Sequence, residues 1–211
     1  MTDLNSLGRT ADPGASATAA DSRSEAGEPT RLVAMVELLF FAYRDFVAGP
    51  DEVLAELGFG RAHHRVLHFV HRQPGLRVAD LLGILKITKQ SLARVLKQLV
   101  DEGYILQETG ASDRRERRLH PTERGSRLAC RMLELQTHRL ADALAAAGPG
   151  AEQAAALFLA GVIAAEDRER AVELVRRATE GAVGDGTESG GATNGPLPAL
   201  GHPSACVCEG T

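Results

Sequence analysis

The stretch from Ile87 to Gly103, ITKQSLARVLKQLVDEG, limits the possible folds of this chain more than any other. Leu92, Val95, Leu96 and Leu99 recur at steps of three and four, which draws one apolar stripe along a helix, while Gln90, Arg94, Lys97 and Asp101 fall on the opposite face. Thr88 brings the hydroxyl of an N-cap, and Gly103 supplies a residue that closes a helix in the left-handed region, so both ends are written locally. The apolar stripe demands a core to cover it. The open face carries Lys89, Gln90, Ser91, Arg94 and Lys97 around the small Ala93, a set of hydrogen-bond donors with little bulk that fits a DNA major groove.

The flanking segments say how such a helix is used. Val78 to Leu85 predicts a short helix with Leu81, Leu82 and Leu85 inward, and Lys86-Ile87 a tight corner before Thr88, which is the layout of a helix-turn-helix. After Gly103, Tyr104 to Glu108 reads as a strand, Thr109 to Asp113 as a turn, and Arg114 to His120 as a returning strand stopped by Pro121. That hairpin carries Arg114, Arg115, Arg117 and Arg118. Ala62 to Arg72 predicts a helix ending before Pro74-Gly75, and Thr122 with Glu123 and Arg124 opens another that runs to about Ala147. Gly148-Pro149-Gly150 turns the chain into a last Ala-rich helix, Ala151 to Thr179.

At the other end, Arg31 to Ala48 is apolar around most of its circumference, and Gly49-Pro50 is expected to break it before a further turn or two at Asp51 to Leu57. A helix of that kind needs more than one neighbour, and a partner subunit is a natural cover. Residues 1–29 and 181–211 hold few large apolar side chains, too few to offset ordering entropy, and read as disordered tails. With 44% apolar residues, 4% aromatics and no Trp, the remainder predicts a mainly α protein with aliphatic helix packing and at most a small hairpin.

Charge is distributed unevenly. Residues 60–127 hold 14 Lys and Arg against 7 Asp and Glu, while the rest of the chain holds 10 against 21, so a basic middle sits between acidic flanks in a chain of net charge −4. A local basic patch is what phosphate binding requires. No run of 18 or more apolar residues is present, and the first 30 residues lack an apolar segment of signal-peptide type, so a cytoplasmic protein without a membrane span is expected. Cys130, Cys206 and Cys208 are too few and too badly placed for a disulfide scaffold and read as reduced thiols.

Helix, short helix, turn, helix and Arg-bearing hairpin, with long helices at both ends, resembles the MarR family of winged helix-turn-helix transcriptional regulators over roughly Arg31 to Thr179. Leu81 to Tyr104 and Asp113 to Gly125 match best: Asp113-Arg114-Arg115, then Leu119, then Thr122-Glu123-Arg124-Gly125 are similar to the family's wing and the start of its fifth helix. LGFGRAHHRVLHFV and TKQSLARVLKQLVDEGY resemble its PetP-type proteobacterial branch. One departure stands at Gly110, where family members often carry an Asp that braces the wing through an ion pair. The resemblance implies a winged domain over residues 30–180, with a DNA-binding lobe at about 60–125 and dimerisation helices at about 31–48 and 122–179. It also implies a homodimer on a palindromic operator, with recognition helices about 34 Å apart.

On this reading double-stranded DNA is the partner, and Gln90 and Ser91 reach base edges, with Arg94 on a base or phosphate. Lys89 and Lys97, helped by the Thr88-capped helix N-terminus, bind phosphates, and Arg114, Arg115 and Arg117 serve the wing, the first two in the minor groove. His64, His68 and His71 stand at i, i+4 and i+7 beside His63, an arrangement open to metal chelation, to pocket lining or pH response, or to plain packing. The family resemblance assigns His64 to the cleft of a small-molecule effector pocket, with His68 beside it; no metal site or cofactor is expected. Two alternatives stand beside the DNA reading: a winged-helix protein-interaction module without specific DNA binding, and a thiol- or metal-responsive regulator. No nucleophile elbow, Walker loop, dinucleotide fingerprint or metalloprotease motif is present, so an enzyme is not expected.

Overall fold

The computed structural model describes residues 18–109 and 116–183. The chain divides into two compact units, residues 1–46 and 47–211. In order it forms α1 (Thr18–Ala55), α2 (Arg61–Arg72), β1 (Leu76–Arg77), α3 (Val78–Leu85), α4 (Lys89–Asp101), β2 (Ile105–Thr109), β3 (Arg117–Pro121), α5 (Glu123–Ala147), α6 (Ala151–Val162) and α7 (Ala165–Val183). This is the mainly α winged helix-turn-helix that the sequence predicts, with α3 and α4 as the two helices of the motif and β2–β3 as the wing. None of the described helices is long and apolar enough to cross a membrane.

α2 is the spine of the second unit. It packs on α3, α4, α5 and β3, and its Val66, Leu67 and Val70 are almost wholly buried. They join Leu81 and Leu85 of α3, the α4 stripe of Leu92, Val95, Leu96 and Leu99, Leu119 of the wing, and Leu128 and Met132 of α5 in one core. Each buried Leu contributes roughly 2 kcal/mol relative to exposure, so the α4 stripe fixes which way its polar face must turn.

Four features differ from the expectations. α1 begins at Thr18 rather than near Arg31, so the backbone of Thr18–Pro29 is helical; once the downstream helix exists, adding Ala- and Glu-bearing residues to its end escapes the nucleation cost. The same helix continues through Gly49-Pro50 instead of breaking there. Proline removes one backbone hydrogen bond, but Pro50 is fully buried beside Val47, Val53 and Leu54, and that burial outweighs the local defect. The C-terminal helix is two helices, because Ile163 leaves helical geometry with ψ of 135° and the Arg168 guanidinium reaches back to the carbonyls of Ala160, Gly161 and Ile163. Finally, a third strand is present: Leu76 and Arg77 pair with Leu119 and Arg118, giving the antiparallel order β1-β3-β2.

α5 is fastened to the end of α4 by the motif Thr122 to Gly125. Thr122 donates its backbone N–H to the Tyr104 carbonyl at 3.0 Å and its hydroxyl to the Gly103 carbonyl at 2.8 Å, and its Oγ1 accepts from Gly125 N at 3.0 Å as the α5 N-cap. Arg124 donates to the Glu102 carbonyl at 3.0 Å and lies 4.2 Å over the Tyr104 ring. Gly125 comes so near that a Cβ would stand 2.0 Å from the Tyr104 carbonyl oxygen, a backbone atom that cannot step aside. Gly125→Ala is therefore expected to lower stability by roughly 1–3 kcal/mol through overpacking, read as an earlier midpoint in urea at unchanged slope. A midpoint equal to wild type would show that the junction can relax.

Candidate nucleic-acid interface

The polar face of α4 is built as its sequence requires. Thr88 Oγ1 accepts from Ser91 N at 3.1 Å and donates its own hydrogen to Ser91 Oγ at 2.9 Å. The Thr88 hydroxyl is thus occupied in capping, while the Ser91 side chain beside it is exposed. The first turn holds no acidic residue, so the partial positive charge of the helix N-terminus is unopposed there. Lys89, Gln90, Ser91, Ala93, Arg94 and Lys97 are all exposed. At the far end Gly103 adopts φ of 74°, the left-handed terminator.

The corner before α4 is tighter than the sequence suggests. Lys86 ends α3 with φ of 52°, the left-handed residue other than glycine among the described ones, which costs roughly 1–2 kcal/mol. Its ammonium meets Asp167 of α7 at 2.9 Å, and Arg170 of the same helix lies against Gly83. The α7 residue Ala178 also accepts a hydrogen bond through its carbonyl from Arg72 of α2.

The predicted contact residues divide into three groups. Lys89 of α4 and Arg117 of β3 line one cleft of about 550 Å³ together with Arg77, Ala93 and Glu116. Gln90, Ser91 and Arg94 lie on the exposed face of α4, and Lys97 is ion-paired with Asp101 one turn on. Arg114 and Arg115 lie outside the described residues, as does Gly110. Arg118 is turned to Glu116 at 2.6 Å, an ion pair in which Oε1 of Glu116 is buried without hydrogen-bond alignment. Arg77, not anticipated from the sequence, reaches the same cleft while bonded to Asp80 at 2.6 Å; β1 is two residues long, too short for its alternation to be read in advance.

The histidines of α2 do not gather on one point. Among the described residues no group of three or more His, Cys, Asp or Glu is placed to hold a metal ion. His64 is buried against α5 and bonded to Gln136; burial pushes its ring below the ordinary value, against the Asp51 charge and the Gln136 hydrogen bond, which hold it up. His68 instead lines a cavity of about 160 Å³ between α2 and α7, with Phe69, Arg72, Gln73, Leu174 and Ala178. Burial, then the charges of His64, Arg72 and His71, push it down to about 4. His71 Nε2 stands 3.6 Å from Cys130 Sγ, and burial, then Arg72, lowers it. Cys130 is buried in α5, and Cys206 and Cys208 lie outside the described residues.

The family model described as "MarR family" matches residues 57–116, from the turn before α2 to the residue before β3. Over 116 residues the chain is 49% identical to the HTH-type transcriptional regulator PetP of Rhodobacter capsulatus, an alignment taking in 55% of this chain and 70% of that protein. Among solved structures it is similar to MarR, at 24% identity and a TM-score of 0.42 over 72% of this chain and 97% of that one. A SlyA-like transcription regulator from Listeria monocytogenes is similar at 18% identity and a TM-score of 0.48, over 72% of this chain and 97% of that one.

Holding His68 neutral has a consequence for folding. The unfolded ring has its ordinary value of 6.5 and the folded one about 4, so between those values the unfolded chain takes up a proton that the fold refuses. The fold is unpenalised above 6.5 and loses stability as pH falls below it toward 4. Urea titrations at about pH 7 and about pH 5 are expected to differ by about 2 kcal/mol on account of this ring, with His68→Gln recovering most of the difference. An identical pH slope in the variant would show that His68 protonates freely in the fold.

Proposed function

The chain belongs to the MarR family of winged helix-turn-helix transcriptional regulators and is a DNA-binding regulator, and from that premise we propose that it reads a palindromic operator as a homodimer, with α4 as recognition helix. The observation that carries this reading is the face of α4: a capped, acid-free N-terminus and exposed Lys89, Gln90, Ser91 and Arg94, backed by a stripe of leucines that are all buried. Gln90 and Ser91 in the first turn meet base edges, Arg94 a base or phosphate, and Lys89 and Arg117 the phosphates on either side of their shared cleft. Arg114 and Arg115 extend the wing into the minor groove. Lys97 joins by exchanging Asp101 for a phosphate, a small cost because exposed pairs of this kind contribute under about 1 kcal/mol.

Pairing of two copies is supported by exposed apolar side chains among the described residues. Within residues 1–46, Leu32, Val36, Leu39, Phe40 and Phe41 are exposed. Within residues 47–211, Leu157, Phe158, Leu159 and Val162 of α6 are exposed as well. Clustered apolar side chains left exposed in this way are read as association surfaces. A lobe of about residues 60–125 then reads DNA while α1 and the helices after Thr122 hold the dimer. A small-molecule effector fits the α2–α7 cavity walled by His68, with His64 one turn behind it on the α5 side.

Arg94→Ala is the direct test. Operator affinity is expected to fall by about 1–3 kcal/mol if the side chain reads a base, measured by mobility-shift titration at fixed salt, with wild-type affinity declining steeply as salt rises. Binding by the variant equal to wild type would remove Arg94 from the interface.

A further inference from the structure

One histidine of α2 plays no part in the reading above, and its geometry is the most fully determined. His63 is the third residue of α2, and its Nδ1 accepts the backbone N–H of Gly60 at 3.1 Å. A backbone N–H only donates, so Nδ1 carries no hydrogen and the ring hydrogen of the neutral imidazole is on Nε2. Nε2 in turn lies 2.9 Å from Oε1 of Gln98, in the second half of α4. That leaves the Gln98 amide nitrogen as donor, and it bonds Glu102 Oε1 at 2.9 Å. Every direction along the relay is fixed: Gly60 N–H to His63, His63 to Gln98, Gln98 to Glu102. Phe59 stacks on the imidazole at 4.7 Å and an interplanar angle of 9°, which holds its plane.

We propose that His63 is a positioning residue for the recognition helix: as the neutral Nε2–H tautomer it closes the N-terminus of α2 and ties α4 to it through Gln98, so that tight DNA binding requires an unprotonated ring. The inference rests on the assignment of α4 to DNA. Protonation would put a second hydrogen on Nδ1, facing the Gly60 N–H donor to donor. The ring then has to turn away from Gly60, and its Nε2 leaves Gln98. The charged and titratable groups around it come from every neighbouring element: Glu102 of α4 behind Gln98, Asp51 of α1 paired with Arg61 of α2 at 2.9 Å, Tyr104 edge-on to Phe59, Arg124 of α5 over Tyr104, and His64 turned to Gln136.

The sign distinguishes this tie from ordinary charge effects. Protonating histidines adds positive charge, which by itself strengthens phosphate binding; the His63 tie acts the other way. Glutamine at the third helical position is the usual partner of such a cap, and its amide accepts and donates in the two roles of the imidazole without titrating.

The test uses the full chain and a fluorescent duplex selected by wild type from a randomised library, with anisotropy titrations at fixed ionic strength. Near neutral pH, His63→Gln is expected to bind as wild type does, while His63→Leu and Gln98→Met lose roughly fivefold, the worth of one net hydrogen bond. As pH is lowered, the affinity of wild type relative to His63→Gln is expected to fall, because the glutamine has no ring to protonate. Gln98→Met leaves the α2 cap intact, so it decides the matter should a His63 variant fail to show the wild-type circular dichroism. Folded His63→Leu or Gln98→Met binding as wild type does, or a wild-type to His63→Gln ratio flat with pH, overturns the proposal. If wild type selects no duplex, or Arg94→Ala binds unchanged, the assignment of α4 fails and the proposal with it; Arg94→Ala weakened beside an unaffected Gln98→Met removes His63 alone.

Discussion

A first side-chain carbon at position 125 would stand 2.0 Å from the Tyr104 carbonyl oxygen, so α5 can start against the end of α4 only through a glycine. Much else follows from that approach. It brings Thr122 within reach of the Gly103 and Tyr104 carbonyls and Arg124 within reach of Glu102, and it leaves Tyr104 2% exposed. The C-terminus of α4 is therefore held by backbone contacts, its flank by the leucine stripe, and its N-terminus by Thr88. A helix held at three places has one orientation, and its polar side is the side left over.

Much of the basic charge on that side is already engaged within the chain. Lys97 has Asp101, Arg118 has Glu116, and Arg77 has Asp80. Pairs at exposed positions contribute little to the fold. The positive field over the lobe is correspondingly weaker than the count of arginines implies, which favours a site that matches over any stretch of backbone.

What the sequence made legible was whatever depends on near neighbours. Thr88, Gly103 and Thr122 are caps because of the residues within a few positions, and all three act as expected; the α3 bounds of Val78–Leu85 and the wing that follows α4 came from the same kind of signal. The remainder turned on distance. Gly125 looks like any glycine until the Tyr104 carbonyl is placed beside it, and Pro50 looks like a helix breaker until the core receives it. The break between α6 and α7 is held by Arg168 from up to eight residues away; the acidic pair Glu166 and Asp167 at the start of α7 was its one local sign. Of the proposed contact residues, the exposure of Lys89 to Lys97 could be anticipated, whereas the convergence of Lys89, Arg77 and Arg117 on one cleft could not, because β1 carries too little pattern. The tie made by His63 has no local signal, because its partner Gln98 is 35 residues away.

The left-handed lysine at the corner of the helix-turn-helix carries one more implication. Lys86 holds a strained backbone shape while its ammonium reaches Asp167, and Arg170 presses on Gly83 from the same helix. α7 is thus a strut braced against the hinge of the reading head, with its far end bonded to α2 at Ala178. The corner at which α3 hands the chain to α4 is therefore set in part by a helix that the chain forms only after the whole DNA-binding lobe is complete.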